Sequence, residues 1–123
     1  MFGEKTNSMV VAILLLGLLL HCGSAQAKIY NVGDAMGWDY GADEWNKGKS
    51  FKAGDILVFK YDVGAHNVAV VDKANYDSCT APSNAKIYAS GNDRVTLKKG
   101  TNYFICTFPT HCDFGMKISA FAA

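Results

Sequence analysis

The chain has 123 residues, 50% of them hydrophobic and 19% charged. That size suits one domain of ordinary dimensions and excludes a multidomain enzyme. Twelve Lys and Arg face eleven Asp and Glu, a formal net charge of +1, so the basic excess expected of a nucleic-acid binder is missing.

The first segment reads as an address. Lys5 precedes an unbroken apolar run over residues 9–20, and small and polar residues then end in Ala25-Gln26-Ala27. A cationic start, a short apolar stretch and an A-x-A end mark a secretory signal peptide, cleaved after Ala27. The apolar run is shorter than the roughly 20 residues that a membrane-spanning helix needs. Residues 1–27 are therefore expected to be the cleaved signal and 28–123 the mature domain. His21 and Cys22 leave with the signal, and Cys79, Cys106, Cys112, His66 and His111 remain. Secretion implies an oxidising compartment where exposed thiols pair. Three cysteines allow one disulfide and leave one thiol that needs a reason.

Past the signal, short runs that alternate apolar and polar residues, or are rich in β-branched and aromatic types, predict strands. They cover residues 28–32, 56–61, 67–71, 95–98, 103–108 and 117–121. Gly33, Gly54-Asp55, Gly64, Gly91-Asn92-Asp93 and Gly100 read as turns between them. One short helix is predicted around residues 74–79, and a turn near 43–46. About seven short strands in a chain of this length point to an all-β, antiparallel two-sheet sandwich. Such a fold hosts many functions, so the site must decide among them.

Most familiar chemistries are absent from the sequence. It has no Gly-rich phosphate loop, no H-E-x-x-H and no calcium-loop pattern. Asp43 and Glu44 are adjacent carboxylates, which an extended chain points to opposite sides, so they read as surface groups rather than an acid/base pair.

One cluster carries chemistry. Cys106, His111 and Met116 follow one another at steps of five, and His66 lies upstream beside Asn67. One thiolate and two imidazoles near a trigonal plane, with a weak axial thioether, make a blue-copper electron-transfer site. Cys106 would end a strand, Pro109 would hold a tight loop, and the loop would return His111 and Met116 to one point. With every protein position filled, the open position of a catalytic metal site is missing, which favours electron transfer over hydrolysis. Each residue alone has a blander reading: a buried small hydrophobe for Cys106, a surface histidine, a core-filling Met116. Together they favour the metal. Cys112 directly follows His111 and would point away from the ion, free to bond Cys79, although a Cys106–Cys112 bridge stays open and would destroy the site.

These residues resemble the plantacyanins, or basic blue proteins, of the phytocyanin branch of the cupredoxins. The likeness spans residues 28–123 and includes Tyr30-Asn31-Val32-Gly33, Trp38, Trp45-Asn46, His66-Asn67-Val68 and the stretch from Tyr103 to Ile118. The C-x4-H-x4-M spacing looks like the phytocyanin form; plastocyanins have a shorter Cys–His step. The resemblance implies a Greek-key β-sandwich of two sheets and about seven to eight strands, with short helical segments. It also implies one copper ion held by His66, Cys106, His111 and Met116, a Cys79–Cys112 disulfide, and Asn67 tethering the ligand loops. Thr110 stands where relatives commonly have Gly.

The expected protein is then a secreted, monomeric electron shuttle of the apoplast or cell wall, with no membrane anchor and no nucleic-acid partner. Its redox partner would be a small molecule or a cell-wall protein. An extracellular signalling or cell-wall interaction protein with mainly structural copper is the alternative. A thiol enzyme built on Cys106 and His111 ranks last, because no third orienting residue is evident.

Overall fold

The computed structural model describes residues 26–123; the expected signal peptide lies outside them, except for Gln26 and Ala27. Seven strands form two sheets. The first sheet holds β1 (Ile29–Asn31), β2 (Ile56–Lys60) and β5 (Asn92–Thr96), in the order β1-β2-β5. The second holds β3 (Val68–Val71), β4 (Lys86–Tyr88), β6 (Gly100–Ile105) and β7 (Lys117–Ala122), in the order β4-β3-β6-β7. Two short α-helices, α1 (Ala42–Trp45) and α2 (Lys73–Ser78), and a 3-10 turn at Asp34–Met36 lie in the connections.

Period-2 patterning explains the layering. In β5 the buried residues are Asp93 and Val95, and in β7 they are Ile118, Ala120 and Ala122, each flanked by more exposed neighbours. Alternation of this kind buries one face of each strand. The two inner faces close on Trp38, Leu57, Phe59, Phe104, Met116 and Ile118, all at most 1% exposed. Phe59 sits between Trp38 and Phe104, with ring centroids 4.9 and 5.2 Å away, inside the range in which aromatic pairs add to plain burial.

Four expectations are corrected. The pair β1–β2 is parallel, Ile29 opposite Ile56, so the first sheet is mixed. Asn92 and Asp93, read as a turn after Gly91, begin β5, which ends at Thr96 instead of running over 95–98. The Asp93 carboxylate accepts from the distant Tyr61 hydroxyl and from the nearby Ser90 N–H at 3.1 Å, and these partners allow a polar residue into a strand. The strand read over 103–108 spans Gly100–Ile105 and releases the chain just before Cys106. β4, which the patterning did not show, has only three residues, two of them exposed.

The predicted helix at 74–79 begins one residue earlier, because the Asp72 side chain accepts from Asn75 N–H and caps it. The turn near 43–46 is the short helix α1.

The registers give the sandwich two ends. β2 and β6 run toward Lys60 and Ile105, while β3 and β7 start at Val68 and Lys117, so loops 61–67 and 106–116 share one end. At the opposite end Phe51 bridges Ala122, and Ala53 N–H donates to Ala123 O at 3.0 Å.

Candidate metal centre

Three donors from two loops converge at the first end. His66 comes from the connection between β2 and β3, where it forms an isolated bridge with Val63. Cys106 follows the last residue of β6, and His111 lies in the loop to β7. His66 Nδ1 and His111 Nδ1 are 3.1 Å apart, and Cys106 Sγ is 3.5 Å from His111 Nδ1. All three donor atoms lie within 4.8 Å of one another. Metal bonds to imidazole and thiolate are about 2.0 to 2.3 Å, so neighbouring donors on one ion at roughly 100–120° stand about 3.1 to 3.7 Å apart. The donor set fits one ion. A thiolate with two imidazoles suits copper in both its oxidation states.

Backbone geometry closes the loop beneath the donors. Cys106 N–H donates to Met116 O at 3.1 Å, and Met116 N–H donates to His111 O at 3.0 Å. Met116 is fully buried in the same apolar cluster as Cys106 and Trp38. His111 N–H donates to Phe108 O at 3.1 Å across Pro109 and Thr110. Thr110 has φ +71°, the sign that a type II turn requires after a proline, and a position glycine favours. The threonine thus holds a backbone conformation that glycine adopts at no steric cost. Gly115 has φ +91°, and a Cβ on it would meet Asp43 Oδ1 at 2.9 Å. The loop thus packs directly against α1 and the turn before it.

Asn67 joins the two ligand loops. Its Nδ2 donates to Thr107 Oγ1 at 2.6 Å, and Thr107 N–H donates to Asn67 Oδ1 at 2.8 Å. The indole N–H of Trp38 donates to Asn67 O at 2.9 Å, which ties the same residue to the core. Cys79 is bonded to Cys112, whereas Cys106 is a buried free thiol. The bridge fastens the loop of His111 to the C-terminal end of α2.

The imidazoles sit under an aromatic rim. Tyr40, half exposed, stands edge-on to His111 and His66, with ring centroids 5.3 and 6.3 Å away, and Phe114 lies beside it at 6.5 Å. Phe108 lies 5.5 Å from His111. Burial, and secondarily the neighbouring His111, hold the His66 pKa below the usual histidine value, which favours the neutral ring that binds metal. Tyr61, 6.2 Å from His66, is pushed up to about 12 by burial and then by its hydrogen bond to Asp93. Tyr40, Thr107 and the Trp38 indole were not legible as parts of the site. Trp38 and Thr107 lie in stretches that carry the family resemblance, but aromatic or polar character in a loop does not by itself place a side chain at the site.

A cupredoxin-like sandwich carrying a His–Cys–His set at one end defines the class of mononuclear type 1 copper proteins. Residues 38–116 match the family model described as Plastocyanin-like domain, and the chain belongs to that family. It is 48% identical to Basic blue protein of Arabidopsis thaliana, over 96% of this chain and 92% of that protein. Chemocyanin of Lilium longiflorum is 46% identical over 98% of this chain and 96% of its own length. The solved structure titled cucumber basic protein, a blue copper protein, superposes with a TM-score of 0.76 at 48% identity. It covers 77% of this chain and 99% of its own.

Proposed function

We propose that the mature protein is an extracellular shuttle of single electrons in which His66, Cys106, His111 and Met116 would hold one copper ion. The convergence of the three donor atoms within 4.8 Å, from loops separated in sequence, carries this reading. Copper, when bound, supplies the Cu(I)/Cu(II) couple. The chain does the rest. Asn67, Thr107 and the Cys79–Cys112 bridge fix the donor loops, and burial of Cys106 and Met116 keeps water from the sulfur side. A set fixed in advance need move little when one electron arrives, and little movement means a low barrier. His66 and His111 are partly exposed, whereas Cys106 and Met116 are buried. Electrons would therefore pass through the partly exposed imidazole edges beside Tyr40, toward a small-molecule or cell-wall protein partner.

With Met116 as fourth donor the set would leave no open position, which argues for transfer rather than enzymatic turnover. Secretion is supported by the signal-like leader and by a disulfide, which persists in oxidising compartments. Among the described residues no helix is long and apolar enough to cross a membrane.

The test is optical. Purified protein titrated with Cu(II) should show an intense blue thiolate-to-copper band at one equivalent, and Cys106→Ser should lose it entirely while keeping its far-ultraviolet circular dichroism. A folded Cys106→Ser protein that stayed blue would overturn the assignment.

A further inference from the structure

At the end of the sandwich away from the histidines, Asp55 is a buried carboxylate, 3% exposed. Its Oδ1 accepts from the backbone N–H of Lys28 at 3.0 Å, and its Oδ2 from the backbone N–H of Lys52 at 2.8 Å. The residue is locked by its own backbone as well. Asp55 N–H donates to Lys52 O at 3.0 Å, and Leu97 N–H donates to Asp55 O at 2.7 Å. Among the described residues no lysine or arginine side chain forms an ion pair with this carboxylate. A buried carboxylate without a cation is costly, and two amides offer only partial positive charge.

Lys28 is held from the other side too. Its carbonyl accepts from Ile56 N–H at 2.9 Å, and β1 starts at the next residue. Gln26 and Ala27, just upstream, are exposed and outside any helix or strand. The fold therefore grips the chain from Lys28 onward.

We infer that cleavage between Ala27 and Lys28 supplies the cation missing at Asp55: the new α-ammonium of Lys28 forms a partly buried ion pair with that carboxylate. The inference rests on the signal-peptide reading and is independent of copper, whose donors lie at the other end. The step is a hydrolysis. Water adds across the Ala27–Lys28 peptide bond, the carboxyl departs with the leader, and the amine of Lys28 takes a proton at neutral pH, where an α-amino group is mostly charged. The nitrogen that already donates at 3.0 Å need not move. A hydrogen bond charged on the carboxylate side alone becomes an ion pair charged on both sides. The position of the cut matters to a single residue, because a start at Ala27 keeps an amide there and a start at Ile29 removes the donor. Around this cleft the Lys28 and Lys52 side chains oppose the ammonium, the Tyr30 hydroxyl donates to Ser50 O, and the last residue, Ala123, lines the same cleft.

Chains beginning at Lys28 and at Ala27, each with and without Asp55→Asn, test this by urea unfolding of the refolded proteins. The Lys28 start should unfold with an equilibrium constant about tenfold smaller than the Ala27 start, and Asp55→Asn should erase the difference. Equal constants for the two starts would overturn the proposal. Should Asp55→Asn not fold, the α-amino pKa of the Lys28 start, followed by NMR, decides. A value above the ordinary range of about 7.7–8.0 supports the pair, and an ordinary or lower value sinks it. A raised value also means that the added stability is lost as pH climbs through it. N-terminal sequencing of the secreted protein reads the processing separately: a start at Lys28 supports it, and any other start overturns it.

Discussion

The two ends of the sandwich are built by different means. At the end of Asp55, backbone ladders do most of the work: β6 pairs with β7 from Gly100–Ala122 inward, and Phe51 and Ala53 continue the pairing onto the last residues. At the metal end the strands stop at Ile105 and Lys117, and beyond a few backbone bonds such as Cys106 N–H to Met116 O the chain is held by particular side chains. These are the Asn67–Thr107 pair of hydrogen bonds, the Cys79–Cys112 bridge and the Trp38 indole. A ladder spreads its load over many equivalent bonds. The metal end concentrates it on a few, so single substitutions there should have larger and more specific effects.

The bridge is where this contrast should show most strongly. Replacing Cys79 and Cys112 together by Ala should cost about 3–4 kcal/mol on chain-entropy grounds for a separation of 33 residues. An exposed change at the other end, Lys98→Ala, should stay within about 0.5 kcal/mol. Denaturant midpoints of the copper-free proteins measure both, and comparable losses would erase the distinction between the ends.

Gly115→Ala comes next. A side chain at φ +91° that meets Asp43 Oδ1 should destabilise by about 1–3 kcal/mol and quicken copper loss to a chelator. Wild-type retention of copper by this variant would show that the contact with α1 is not needed for the loop.

Thr110→Gly should act in the opposite direction. Relief of a β-branched residue at φ +71° should stabilise the protein by about 1 kcal/mol, read as a higher melting temperature with the blue band unchanged. A lower melting temperature would mean that the threonine is favourable where it stands.

The smallest effect concerns acid. The folded-state pKa of His66 lies below its ordinary 6.5, so its contribution to stability is present above that pH and lost as pH falls through the depressed value. The copper-free protein should therefore lose stability below pH 6.5, and His66→Asn should flatten that slope. A midpoint that rose with acid would contradict the sign.

How much of this was legible in the sequence follows from the same contrast. Cys106, His111 and Met116 lie within eleven residues, so their spacing could be read as one loop, and alternation in β7 marked a strand buried on one face. What escaped depends on pairing across the chain. Nothing in residues 28–32 announces a parallel neighbour, and Asp93 looks like a turn residue until Tyr61 is placed on its carboxylate. Tyr40 joins the site through contacts with His66 and His111, residues far from it in the sequence. Short-range chemistry was visible, and long-range company, His66 and the Cys79–Cys112 bridge apart, was not.

Trp38 gives this architecture a built-in reporter. Its indole is 1% exposed, edge-on to Phe59, and bonded to the carbonyl of the residue next to His66. The sequence has only one other tryptophan, the partly buried Trp45 on α1. With Trp45 replaced by Phe, the remaining fluorescence would record the arrival of an ion and the collapse of the core in one signal, without any added label.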